Sequence, residues 1–350
     1  MMLPSRREVL FGASSLGTLT LISSGVRADT YPTRPIRLVV PFAAGGSNDV
    51  IARPWADRIG SSFGPVVIEN IAGAGGAVGC ASVARAPADG YTLLLGNAGN
   101  QVVIPLASTR PSYDSARDFR PIYRLVSNGL AFAVHPSLPV KDMGELVAYG
   151  KANPGKLSYG SAGVGTTNQL AGEMFKSQAG LPDIVHVPYR GAAPATNDLL
   201  GGQLPMIVAV MTGQLLQLHE SGKLRILAVT NERRMAGAPN IPTAIESGMP
   251  DLKFDGWFSL FAPKATPEPI ISQLAQATRK IMSNTSLLET YRAEVLEPDS
   301  DSSPEKAEQI VQQEVERLSP LIKSIPAGHF KFLRVWSVKF LHPRGRTRDC

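Results

Sequence analysis

Residues 36–50, IRLVVPFAAGGSNDV, have the pattern of a buried strand, a glycine-rich turn and the start of a helix. The strand is Ile36–Val40, and the turn follows it directly. Gly45 and Gly46 allow a ligand to approach the backbone closely, and the helix that begins after them presents unpaired N–H groups and the positive end of its dipole. Asp49 could act as a base, but we expect it to cap the helix or to order a water at the ligand. The stretch therefore predicts an anion-binding turn in an α/β protein.

A second unit of the same kind occupies residues 157–168, LSYGSAGVGTTN. Here Ser161, Thr166 and Thr167 could add hydroxyl hydrogen bonds to those of the backbone. Two such turns from opposite sides of a cleft would clamp a carboxylate. Each turn taken alone is equally consistent with an ordinary helix cap.

Around these units, short apolar runs alternate with amphipathic helical patterns. The apolar runs predict strands at 36–40, 66–69, 92–95, 130–134, 156–159, 184–187, 206–210 and 224–230. The 3.6-residue patterns predict helices at 48–62, 77–85, 142–152, 167–179, 192–201, 213–221, 267–282, 286–293 and 304–322. This alternation favours parallel sheets covered by helices on both faces, arranged as two doubly wound lobes.

Proline, glycine and charged residues mark two places where the chain crosses between lobes, near 119–127 and near 250–258. We therefore expect one lobe from residues 29–128 and 250–324, and a second from residues 129–249. Two crossings form a hinge, and a cleft between lobes is where a ligand usually binds.

The first 28 residues have the features of an export signal. Arg6 and Arg7 resemble a twin-arginine pattern, a modestly apolar stretch runs to Ile22, and Val26-Arg27-Ala28 resembles a cleavage site. An uncleaved anchor is the alternative, but the apolar stretch is shorter than the ~20 residues that span a bilayer. We expect export to the periplasm by the twin-arginine route.

Charge excludes several classes of partner. The chain has 35 basic and 29 acidic side chains, and residues 1–28 and 325–350 together hold nine of the basic and two of the acidic ones. The body of the protein between them therefore has 26 basic and 27 acidic side chains. A body so close to neutral gives no electrostatic reason to bind nucleic acid or an acidic membrane.

The chain lacks sequence signatures of a cofactor, a metal site or a catalytic centre. The glycine cluster at 73–79 misses the dinucleotide-binding spacing, and the two cysteines and five histidines are scattered. No nucleophile elbow, zinc-protease motif or phosphate-binding loop is present. We expect a protein that binds its ligand without cofactor or metal and does not transform it.

The ordered motifs resemble one family, the Bug (TctC-like) receptors of tripartite tricarboxylate transporters. They are Tyr31–Ile36, the first glycine-rich turn, Glu69–Gly79, Ala88–Leu93, Val187–Gly191 and Lys223–Arg225, and the resemblance extends to about Lys323. It implies a type II periplasmic-binding fold that closes like a flytrap and delivers a small carboxylate to membrane permease subunits.

By position, the resemblance places the carboxylate clamp on the loops Phe42–Asp49 and Ser161–Asn168. The implied ligand-binding residues are Phe42, Ala44, Gly45, Gly46, Asp49, Asn97, Ser161, Gly165, Thr166, Thr167, Asn168 and Ala209. Many relatives carry an acid at the position of Ala209, so its absence argues against an amino-acid ligand. Gln169 stands where a histidine is often found, and from Ile325 onward the resemblance stops, so we expect 325–350 to be poorly ordered.

Two other classes of function stay open at this stage. A sensor that reports its ligand to a membrane kinase uses the same fold, and a periplasmic enzyme would need a reactive side chain paired with a partner in the cleft. We expect a monomer, as is usual for a diffusing receptor.

Overall fold

The structure is a computed structural model, and it describes residues 31–324. The predicted export signal and the predicted atypical tail therefore lie outside the described residues. Within the described range, no helix combines the length and the apolar character that a membrane crossing requires.

Ten strands and eleven helices alternate along residues 31–324. The strands are β1 Ile36–Val40, β2 Val66–Asn70, β3 Thr92–Asn97, β4 Phe119–Val134, β5 Ser158–Ser161, β6 Val185–Pro188, β7 Met206–Val210, β8 Arg225–Val229, β9 Asp255–Pro263 and β10 Glu297–Pro298. The helices are α1 Ser47–Gly60, α2 Ala77–Ala84, α3 Ile104–Ala107, α4 Ser115–Asp118, α5 Met143–Ala152, α6 Thr167–Ala179, α7 Ala192–Leu200, α8 Gly213–Glu220, α9 Glu268–Met282, α10 Thr285–Ala293 and α11 Pro304–Ser324. A 3-10 turn at Ala74–Gly76 precedes α2, and a π-helical turn at Gly99–Val103 precedes α3.

The strands form two sheets that share β4. The order is β2-β1-β3-β9-β4-β7-β5-β6, with β8 and β10 also paired to β4. The first part of β4 pairs with β9, from Phe119 to Gly129, and its last five residues pair with β7. This 16-residue strand is thus continuous from one lobe into the other, and the fold is the two-lobed α/β architecture expected of a type II binding protein.

Buried aliphatic runs explain the central strands. Leu38, Val39 and Val40 of β1 are completely buried, as are Leu93 and Leu94 of β3. Such runs suit strands covered on both faces by helices, where alternation with polar residues is lost.

Several details differ from the sequence-based expectation, and the short elements α3, α4 and β10 were not predicted at all. The sheets are mixed, because β9 runs antiparallel to β3 and β4, and β4 also runs antiparallel to β7 and β8. In addition, β9 and the first eleven residues of β4 were not predicted as strands. The parallel arrangement holds for β1 with β2 and β3, and for β5 with β6 and β7.

Candidate functional site

The interlobe cleft is closed, and each of the two glycine-rich turns packs against backbone of the opposite lobe. The backbone N–H of Ala43 donates to the carbonyl oxygen of Arg190 at 3.1 Å. At the other end of the seam, a Cβ added to Gly75 would lie 2.1 Å from the carbonyl oxygen of Val164, and one added to Gly163 would lie 3.2 Å from the Cα of Gly75. Backbone therefore packs directly against backbone, and this close approach requires glycine.

A small cavity, part of it open to solvent, lies between the turns. Its walls come from both lobes and from the strands that join them. The lining residues are Phe42, Ser47, Asn48, Asn97, Ala98, Asn128, Ala162, Thr166, Thr167, Asn168, Ala192, Val210, Gly256, Trp257 and Phe258.

Helices α1 and α6 both begin at this cavity, one from each lobe. The N–H groups of Ser47 and Asn48 stand in the first turn of α1, and those of Thr167 and Asn168 in the first turn of α6, where a helix supplies no carbonyl acceptor. The positive ends of the two helix dipoles thus converge on one enclosed space, an arrangement that favours an anion.

All fifteen described residues that line the cavity have neutral side chains. An anion there would be held by backbone N–H groups, neutral polar groups and helix dipoles. An ammonium group would find no carboxylate among these residues, and a buried charge without a partner is costly.

Three buried polar atoms in the lining have no hydrogen-bond partner among residues 31–324. They are Oδ1 of Asn48, Oδ1 of Asn128 and Nε1 of Trp257. Buried polar groups are nearly always paired in native proteins, so unpaired ones around a cavity indicate that a ligand or water completes them.

Asp49 stabilises the first turn from outside the cavity. Its carboxylate accepts from the backbone N–H of Gly45, from Nδ2 of Asn70 and from the Arg53 guanidinium, each at 2.9 Å. Burial raises the pKa of Asp49, but these hydrogen bonds and the Arg53 charge outweigh it and hold the pKa below its ordinary value. The side chain fixes the shape of the turn.

Ser161 has a similar supporting position behind the second turn. Its Oγ lies 2.6 Å from Nε2 of His186 and accepts from the backbone N–H of Gly163 at 3.1 Å. His186 stacks on Tyr159 with ring centroids 4.9 Å apart, and burial lowers its pKa to about 4, opposed by the Glu173 carboxylate. Ser161 is 1% exposed and is not part of the cavity lining, so the Ser161–His186 pair is not placed to attack a ligand.

The hydroxyl of Thr166 is also engaged in the turn. It donates to the carbonyl oxygen of Gly163 at 2.7 Å and accepts from the N–H of Gln169 at 3.4 Å. Asn168 ties the start of α6 to β7, since its Nδ2 donates to the carbonyl oxygen of Val208 at 3.1 Å. The second turn is therefore held by its own hydrogen bonds and by one to β7.

The structure divides the sequence-predicted residues into three groups. The residues that line the cavity are Phe42, Asn97, Thr166, Thr167 and Asn168. Gly45, Gly46 and Ala209 line an adjoining cleft, which shares Ser47, Ala192 and Val210 with the cavity. The residues that line neither space are Ala44, Asp49, Ser161 and Gly165.

Sequence reasoning missed the part of the lining that the hinge supplies. Asn128 lies on β4, and Gly256, Trp257 and Phe258 lie on β9. The sequence feature that could have identified these residues is the pair of predicted lobe crossings, near 119–127 and 250–258, which lie at or next to them.

The structure also accounts for the third glycine cluster, at residues 73–79. Gly75 contacts the second lobe at the closed seam, which explains the glycine-rich sequence around it.

Over residues 31–324, no group of three or more His, Cys, Asp or Glu side chains is placed to hold a metal ion. Cys80 is buried, and burial raises the pKa of its thiol to about 12; Cys350 lies outside the described residues.

Comparison with known proteins agrees with this architecture. The profile of the tripartite tricarboxylate transporter family receptor matches residues 51–326. Protein BugT of Bordetella pertussis is 34% identical over 309 residues, which is 87% of this chain and 94% of BugT. The structure of the periplasmic binding protein BugD is similar with a TM-score of 0.80 and 34% identity, over 85% of this chain and 99% of BugD. An R. palustris protein solved with adipate is similar with a TM-score of 0.80 and 33% identity, over 85% of this chain and 98% of that one.

Proposed function

Because this chain belongs to the tripartite tricarboxylate transporter receptor family, we propose that it captures a small carboxylate in the periplasm and delivers it to the permease subunits of such a transporter. The protein is exported by the twin-arginine route and acts as a monomer. The ligand leaves chemically unchanged.

One observation carries the proposal: the starts of α1 and α6, from opposite lobes, converge on one closed cavity with neutral walls. A carboxylate would accept hydrogen bonds from the first-turn N–H groups of both helices at once. Contact with both lobes would stabilise the closed form over the open one, which is how a binding protein signals occupancy.

Eleven of the twelve residues named from the sequence enter this proposal, in three roles, and the exposed Ala44, which lines neither space, has none. We assign direct ligand contact to the ones that line the cavity, and support of the turns to Asp49, Ser161 and Gly165. Gly45, Gly46 and Ala209 border the adjoining cleft, where the outer end of a longer ligand would lie.

Calorimetric titration of the purified protein tests the proposal. The panel contains mono-, di- and tricarboxylates and amino acids, and each mixture is analysed for products afterwards. We expect saturable one-to-one binding of a carboxylate at micromolar affinity, about −8 kcal/mol, with the ligand recovered intact. Conversion of a panel member into a product would refute the receptor assignment.

A further inference from the structure

Asn128 carries an unused hydrogen-bond acceptor in the wall of the cavity. The residue is 2% exposed and lines the cavity, and its Oδ1 has no partner among residues 31–324. Asn48, in the first turn of α1, also lines the cavity with an unpartnered Oδ1. Two acceptors in one closed space call for hydrogen-bond donors.

The orientation of the Asn128 carboxamide is determined by its surroundings. Its Nδ2 donates to the carbonyl oxygen of Gly129 at 3.2 Å, which assigns the other end of the amide as the oxygen. The oxygen lies over the neighbouring strand, 2.8 Å from the position that a Cβ on Gly256 would occupy. β4 and β9 together therefore hold an acceptor at the hinge.

A carboxylate cannot satisfy this oxygen, because an ionised carboxylate only accepts hydrogen bonds. An ammonium group would donate, but none of the fifteen lining residues is acidic and could balance its charge. A hydroxyl group donates without carrying a charge, so it fits both the acceptor and the neutral walls.

We infer that the cleft selects hydroxycarboxylates, with the carboxylate at the starts of α1 and α6 and a hydroxyl donating to Oδ1 of Asn128. This inference rests on the proposed function, since it assumes that the cavity holds a carboxylate. Asn128 is then a specificity-determining residue.

The test compares ligands that differ only by a hydroxyl. Affinities of the full-length protein are measured by calorimetry for malate against succinate and for lactate against propionate, using both enantiomers, with aspartate as the ammonium counterpart. We expect the better hydroxy enantiomer of at least one pair to bind at least tenfold more tightly than its deoxy partner. In Asn128→Ala we expect that preference to fall below threefold.

Asn231→Ala is the matched control. Asn231 is also buried near the hinge with an unpartnered Oδ1, but it does not line the cavity. We expect this variant to keep the preference for the hydroxy ligand.

Each outcome decides a separate point. Equal affinities for hydroxy and deoxy ligands in the wild-type protein overturn the inference and leave the proposed function intact, whether or not Asn128→Ala folds. Tighter binding of aspartate than of malate overturns it in favour of an ammonium ligand. Loss of the preference in Asn231→Ala as well removes Asn128 as the selecting residue, and failure of every carboxylate to bind refutes the proposed function itself.

Discussion

Replacing Gly75 by alanine should hold the cleft open. The new Cβ would lie 2.1 Å from the carbonyl oxygen of Val164 in the closed form. Carbon and oxygen atoms in van der Waals contact are more than 3 Å apart, so the lobes must separate by about 1 Å at this contact. That movement would lengthen the 3.1 Å hydrogen bond from Ala43 to Arg190 and loosen the contacts between a bound ligand and one of the lobes.

The expected loss of binding free energy follows from these two weakened interactions. One weakened interlobe hydrogen bond costs ~0.5–1.5 kcal/mol, and a weakened charge-assisted bond to the ligand costs ~1.5–3 kcal/mol. We expect the variant to lose about 2–3 kcal/mol of binding free energy, which raises the Kd about 30- to 150-fold. Calorimetric titration with the ligand that binds the wild-type protein measures this change, and small-angle scattering shows whether ligand still compacts the protein.

Gly180→Ala supplies the control for backbone strain. Gly75 and Gly180 both have φ of +65°, so alanine suffers the same left-handed strain at either position, of ~1–2 kcal/mol. A Cβ on Gly180, however, meets nothing within 4 Å. Equal ligand affinities for the two variants would show that the seam does not control closure.

Three further predictions concern the support of the turns, acid sensitivity and export. Asp49→Ala leaves the Gly45 N–H without its acceptor and should lower the free energy of unfolding by ~1–3 kcal/mol at neutral pH. Because the pKa of Asp49 is depressed in the folded state, this stabilisation is present above the unfolded pKa and disappears as the pH falls through the folded pKa. The denaturation midpoints of the wild-type protein and the variant should therefore converge in acid. His186 has a pKa of about 4 in the folded protein against 6.5 in the unfolded chain, so between these values it binds a proton mainly in the unfolded state. The free energy of unfolding of the wild-type protein should therefore fall by up to ~3 kcal/mol between pH 6.5 and 4. A His186→Gln variant whose free energy of unfolding falls just as steeply with pH would contradict this. Replacing Arg6 and Arg7 by lysine should block export, as measured by the periplasmic fraction, and normal export would exclude the twin-arginine route.

Local sequence patterns were sufficient for the nine longer helices and for the two turns, but not for the four-residue helices α3 and α4. The prediction of a helix at 167–179 matches α6, because the residues before it form a glycine-rich turn and its apolar residues recur on one face. The strand Phe119–Val134 was predicted only from Leu130, since Arg120, Pro121 and Arg124 interrupt the apolar pattern. Arg124 is accommodated because it pairs with Asp299 at 2.7 Å, a contact 175 residues away that no local pattern contains.

Local sequence patterns could likewise predict only part of the candidate ligand site. The residues of the two turns that line the cavity lie within contiguous stretches, so a glycine-rich pattern could predict them. Asn128 reaches the cavity only because β4 pairs with β9, and that pairing joins segments that are far apart in the sequence. Residues contributed by long-range strand pairing are visible only once the topology is known.

The position of β9 also determines the order in which the protein can be assembled. β9 lies between β3 and β4 in the first sheet, but it is synthesised after the whole second lobe. Until Pro263 has been made, β3 and the first part of β4 each have an unpaired edge, and such edges are prone to aggregation. Because the first sheet needs strands from both ends of the chain, we expect the two lobes to unfold together in a single transition.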